Sequence, residues 1–191
     1  LFAIPIAIIS AFIGLGYSSI LSFLTSYATE INLVDIASFF FIVYAVTILV
    51  SRPFTGRWFD SKGENFVMYP AFLLFAIGLL ILSQANQGYA ILLAGVFVGL
   101  GYGTYSSSGQ AIAIKVSPSH RMGLATSTFF IFLDAGVGIG PFLLGLLVPF
   151  SGYRGLYVTM AAVIFVCAFL YYFVYGRKVM LAKKTQSAEI N

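Results

Sequence analysis

The sequence predicts an all-α membrane protein of six transmembrane helices with both ends on the cytoplasmic side, and three observations predict it. Of 191 residues, 60% are hydrophobic and 8% are charged, whereas soluble domains carry about 25% charged residues, so a water-soluble fold is excluded. The apolar residues fall into six runs, each near the roughly 20 residues that a helix needs to cross a bilayer. The basic residues then gather in alternate breaks between the runs, the asymmetry that orients membrane proteins.

The runs occupy 1–28, 34–53, 66–84, 89–114, 123–148 and 153–176. Each is too long and too uniformly apolar for a barrel strand, which needs about 10 residues of alternating pattern. The breaks fall at Glu30 to Asp35, Arg52 to Asn65, Gln84 to Gly88, Lys115 to Met122 and Pro149 to Arg154. Arg52, Arg57 and Lys62 lie in the second break, Lys115 and Arg121 in the fourth, and Arg177, Lys178, Lys183 and Lys184 after the last run. Arg154 alone lies on the other side, which puts both ends in the cytoplasm and the polar segment 177–191 in a cytoplasmic tail. The chain begins at Leu1 inside an apolar run with no basic segment before it, so it reads as a piece of a longer protein and not as a signal peptide.

The fifth run carries the chemistry. Its core, FFIFLDAGVGIGPFLLGLL from Phe129 to Leu147, holds one acid, Asp134, and an ionisable residue in a span marks a functional site by default. Gly136, Gly140 and Pro141 follow, small residues for close helix approach and an imino acid that kinks a helix. A carboxyl at that depth is costly as an ion, so it suits a residue that takes a proton on one side of a membrane and gives it up on the other. At 1.5 Å per residue Asp134 lies about 16 Å from the cytoplasmic start of its helix, near mid-membrane. The same count places Tyr17, Ser18, Tyr44, Tyr102 and Tyr105 at similar depth, where hydroxyls need polar partners; a shared cavity or bonds to neighbouring backbone both satisfy them. Gly95, Gly99 and Gly103 form a row at every fourth position of the fourth run, a ridge for helix packing. Ser10, Gly14, Ser18, Ser22 and Ser26 repeat the spacing in the first run, where hydroxyls line water as readily as they bond across helices.

Other chemistries find little support. The single cysteine, Cys167, lies in an apolar run and the single histidine, His120, in a break, which leaves no metal site and no Ser-His-Asp arrangement. Ser106, Ser107 and Ser108 have no base inside any span, so the sequence reads as no enzyme. Scattered basic residues form no stripe for nucleic acid. No cofactor is expected.

In the second break Gly56, Asp60 and Gly63 stand in the spacing G-x-x-x-D-x-x-G, followed by Glu64 and Asn65. The fifth run carries Gly136-x-x-x-Gly140-Pro141, preceded by Arg121-Met122-Gly123-Leu124-Ala125, an R-x-G-x-A pattern. On a six-span scaffold these motifs resemble one half of a major facilitator superfamily transporter, and the glycine-proline helix is similar to that of its drug:proton antiporter branch. The family often has two basic residues where Glu64 and Asn65 stand. The arginine found four residues before G-x-G in amino-terminal halves is replaced here by Gly95, before Gly99-Leu100-Gly101. The resemblance therefore implies the carboxy-terminal half of a twelve-helix fold, with the amino-terminal six-helix half as its missing partner. It further implies a plasma-membrane transporter working by alternating access, proton-coupled through Asp134, exporting a small, largely apolar solute. Uptake of a sugar, organic acid or siderophore, and a transport-inactive membrane scaffold, are the alternatives. Gly56, Arg57, Asp60, Gly63 and Arg121 would form a latch at the cytoplasmic seam, Asp60 pairing with Arg57, Arg121 or a helix amino-terminus. Membrane lipid, protons and the solute would be its other partners.

Overall fold

The computed structural model describes residues 3–177 and 179–181; most of the predicted 177–191 tail lies outside the described residues. Every regular element among them is helical: α1 (Ile4–Glu30), α2 (Val34–Lys62), α3 (Glu64–Ser83), α4 (Gly88–Lys115), a 3-10 turn (Ser119–Arg121), α5 (Met122–Tyr171) and a π turn (Tyr172–Gly176). Among the described residues five helical stretches, the last running over Ser119–Gly176, are long and apolar enough to cross a membrane.

The chain reverses where the backbone allows it. Pro5 sits in the first turn of α1, where its missing N–H is no loss. Asn32, with φ 58°, turns the chain into α2. Gly63, with φ 91°, separates α2 from α3 in a single residue, a left-handed conformation that favours glycine. α5 has 50 residues, about 75 Å of helix against a hydrocarbon core of about 30 Å. It is interrupted at Gly152, where φ 66° and ψ 177° leave the helical range, giving a first arm over 122–151 and a second over 153–171.

Contacts along α1 show that the two arms run in opposite directions. In the first arm Gly136 lies on Ala11 and Leu15, Gly140 on Ser18, and Gly145 on Phe23, so this arm runs parallel to α1. In the second, Tyr153 meets Phe23 and Tyr27, while Ile164 meets Gly16, so it runs antiparallel. α4 lies antiparallel to α3, with Gly101 on Phe75 and Gly78 on Val98. It lies parallel to α2, where Gly95, Gly99 and Gly103 meet Phe40, Tyr44 and Ile48 in turn. A Cβ added at Gly99 would stand 2.9 Å from the Tyr44 carbonyl oxygen, so the glycine row brings α2 and α4 to backbone contact.

One expectation is corrected. The second span does not end at Arg52 and Pro53: α2 continues with Pro53 inside it to Lys62, so the motif from Gly56 to Asp60 is helical and only Gly63 makes a turn. A proline costs a helix one backbone bond at its own position, and hydroxyl bonds from Ser51 to Ile48 (3.1 Å) and from Thr55 to Ser51 (3.1 Å) accompany it. The fifth helix stays helical through Pro141 and leaves the helical range at Gly152, inside the break expected at Pro149 to Arg154.

Candidate functional site

Three of the predicted tyrosines meet. Tyr17 of α1 stacks on Tyr102 of α4 with ring centroids 4.1 Å apart and planes 10° apart. On its other side Tyr17 faces Tyr44 of α2 at 5.8 Å. Behind Tyr102 lies Phe75 of α3, also at 5.8 Å. Each such pair contributes about 0.5–1.5 kcal/mol beyond burial, so the stack fixes three helices against one another. All three tyrosines are half-buried, forming part of an outer wall of the bundle.

Asp134 stands on the exposed face of the first arm, within electrostatic reach of Tyr102. Arg52 is within reach of Tyr44. The carboxyl is thus a neighbour of Tyr102 and the guanidinium a neighbour of Tyr44. One turn before Asp134, Phe130 lines a cleft of about 560 Å³ between α2, α4 and α5. Arg52, Asp60, Ser106, Ser107 and Gln110 supply its polar wall. Arg52 thus belongs to the cleft and neighbours Tyr44, and Phe130 brings the helix of the acid to the same cleft.

Two predicted cavity residues lie elsewhere. Tyr105 is 1% exposed; its hydroxyl is 2.9 Å from the Ser10 hydroxyl, and its ring packs between Phe72 and Phe129. Ser18 is fully buried, bonds the Leu15 carbonyl at 2.7 Å and packs on Gly140. Both belong to helix seams, because neighbours along a helix point in different directions even at one depth. Gly14 and Gly136 mark the tightest of these seams: a Cβ on either would collide with the facing backbone.

The predicted latch is only partly assembled within this chain. Gly56 and Asp60 line the cleft, while Arg57 and Arg121 are exposed. Asp60 makes no ion pair among the described residues; a basic residue before an acid is the weaker order on a helix. Instead, the residues beyond the motif are bonded. Glu64, at the start of α3, is buried and pairs with Lys115 at the end of α4. Asn65 donates to the Gly176 carbonyl at 2.9 Å and accepts from the Tyr171 hydroxyl at 3.0 Å.

Ser106, Ser107, Gln110 and Arg52 were not expected to share a site. The available signal was the row Tyr102, Ser106, Gln110 at every fourth position of α4, adjacent to the more conspicuous glycine row. Among the described residues no group of three or more His, Cys, Asp or Glu is placed to hold a metal.

A family model described as Major Facilitator Superfamily matches residues 6–189. The chain belongs to the Major Facilitator Superfamily. Superfamily relatives include the multidrug resistance protein MdtG of Proteus mirabilis, 28% identical over 160 residues, which is 81% of this chain and 40% of that protein. The MdtG proteins of Salmonella dublin and Salmonella typhi are 26% and 27% identical over 178 and 166 residues, covering 90% and 84% of this chain. Of those two proteins' own length, 44% and 41% is matched, so the chain spans about two fifths of the curated relatives. It is thus a multi-pass membrane protein of a transporter superfamily.

Proposed function

We propose that this chain is the carboxy-terminal half of a secondary transporter that exports a small, largely apolar solute in exchange for protons by alternating access. In this reading α1 to α4 and the two arms of α5 are six membrane spans. Both ends face the cytoplasm, as the nine-to-one distribution of basic residues favours. Tyr17, Tyr44 and Tyr102 offer aromatic surface to the solute, Asp134 carries the proton, and the cleft opens the path to the cytoplasm. The amino-terminal half would cover this surface and complete the cavity. Gly56, Arg57, Asp60, Gly63 and Arg121 would then act as a latch against that half rather than within this one.

The observation that carries the reading is the placement of Asp134. It is neither sealed in a helix seam nor remote from the tyrosines, but lies on an open face within electrostatic reach of Tyr102. The relatives' name, multidrug resistance protein, supports export. The test is Asp134→Asn in the full-length protein reconstituted in vesicles. Solute binding should persist, while flux driven by a pH gradient falls to the level of protein-free vesicles. Undiminished proton-driven flux in this variant would show that Asp134 is structural.

A further inference from the structure

The polar wall of the cleft between α2, α4 and the first arm holds donors that the chain itself does not use. Thr55 and Ser107 donate their hydroxyl protons to their own helices, to the Ser51 carbonyl at 3.1 Å and the Gly103 carbonyl at 3.2 Å. The Arg52 guanidinium, the Ser106 hydroxyl and the Gln110 amide line the same cleft. Among the described residues these three side chains make no hydrogen bond, and Arg52 makes no ion pair. Ser106 and Gln110 stand four residues apart, on one face of α4.

Asp60 is the one acid among the described residues that line the cleft, and the register of the helices separates it from Arg52. α2 runs parallel to α4, with Tyr44 on Gly99 and Ile48 on Gly103. Continued at that spacing, Arg52 comes level with Ser107, whereas Asp60 comes level with Lys115, about 12 Å further along. Coulomb forces weaken with distance, so a charged group beside Ser106 and Ser107 is governed by the guanidinium. The rest of the wall includes two aromatic rings, Phe59 of α2 and Phe130 of the first arm. A volume of about 560 Å³ suits a small molecule, whose sites occupy about 300–1,000 Å³. A hydrocarbon there would leave three donors without acceptors once the surface is covered, which is costly. An oxyanion joined to a ring satisfies both kinds of wall.

We propose that the cleft is the headgroup subsite for a small aromatic anion, a carboxylate or sulfonate. Its oxygens accept hydrogen bonds from Arg52, Ser106 and Gln110, and its ring lies against Phe59 or Phe130. This rests on the reading of the half as a solute carrier under the proposed function, and it names the class of solute.

The experiment is equilibrium dialysis of the full-length protein in detergent, against protein-free detergent, at neutral pH. The probes are naphthalene-2-sulfonate and naphthalene-2-sulfonamide, one ring system with and without a charge. The wild type should bind the sulfonate more tightly. Arg52→Gln, a change at an exposed side chain, should weaken the sulfonate about tenfold, the loss of one charge-assisted hydrogen bond. It should leave the sulfonamide unchanged, with the thermal unfolding midpoint measured alongside to verify that the variant folds. No binding of the sulfonate, equal binding of the two probes by the wild type, or a sulfonate affinity unchanged in Arg52→Gln would overturn the proposal. The assay uses no pH gradient, so its failure leaves proton exchange at Asp134 standing, and failure of the Asp134→Asn test leaves this subsite standing.

Discussion

The crossing of α1 with the first arm of α5 makes a quantitative prediction from two glycines on one interface. A Cβ built on Gly136 meets the backbone of α1, standing 2.9 Å from both the Ala11 carbonyl carbon and the Leu15 nitrogen. Carbon contacts settle at about 3.5–4.0 Å, and backbone atoms have no rotamer by which to retreat, so the helices must separate. Overpacking of this kind costs about 1–3 kcal/mol, offset in part by the better helix propensity of alanine, about 1 kcal/mol. Because Gly14 makes the reciprocal contact with Leu133, separation also loosens that side, and the net loss for Gly136→Ala is about 2 kcal/mol. At about 2–4 °C per kcal/mol for a chain of this size, unfolding should move down by about 4–8 °C. Gly145 faces the same helix, but its Cβ would lie 4.0 Å from the nearest atom, on Phe23. Gly145→Ala should therefore leave the midpoint unchanged or raise it by a few degrees. Cys167 is 1% exposed, so its reaction with a thiol dye during heating reports opening, once any cysteine outside this chain has been replaced. Equal midpoints for the two variants would refute backbone contact at Gly136.

Tyr105→Phe removes the hydroxyl bonded to Ser10 but leaves Ser10 its bond to the Ile6 carbonyl at 2.9 Å. Thermal unfolding should register a loss of about 0.5–1.5 kcal/mol, while solute KM stays at the wild-type value; a raised KM would return Tyr105 to the cavity. Glu64→Ala deletes an ion pair whose lysine side chain is 64% exposed, so solvent screening limits the loss to about 1 kcal/mol. Reversing the pair in Glu64→Lys/Lys115→Glu should recover more stability than either single reversal retains, and additivity of the two would show that the pair contributes nothing.

Much of the architecture was legible because helices in a bilayer must be apolar and must bring small residues together where they touch. The four-residue glycine row of α4 and Gly136 and Gly140 of α5 lie where α2 and α1 approach them. Hydropathy failed at the end of α2: the charged residues after Arg52 end an apolar run, but nothing about a charge ends backbone hydrogen bonding. Depth failed for Tyr105 and Ser18, since distance along an axis says nothing about direction around it. Tyr102 and Tyr105 are about 60° apart on α4 and Tyr17 and Ser18 about 100° apart on α1, enough to carry one of each pair onto the stack and the other into a seam. Glu64 and Asn65 read as departures from a motif, because their partners Lys115, Tyr171 and Gly176 come from helices far along the chain.

Those partners bear on how a half of this kind would move. At one end of the bundle Glu64 and Asn65 join the start of α3 to the end of α4 and the end of the second arm. At the other, Arg154 at the start of the second arm reaches Asn86 and, at 3.3 Å, the Ala85 carbonyl. The Tyr27 hydroxyl of α1 bonds the same carbonyl at 3.1 Å. α3, α4 and the second arm are thus tied near both ends of the bundle, and Tyr102 is mounted on the tied α4. The extension of α2 beyond Arg52 and the start of α5 instead border the open cleft. Under the proposed rocking motion the tied layer would move as one body and carry its side of the tyrosine stack with it. Adjustment within the half would concentrate at the cleft, where Arg52 and Asp60 face Ser106 and Gln110 across space rather than across bonds.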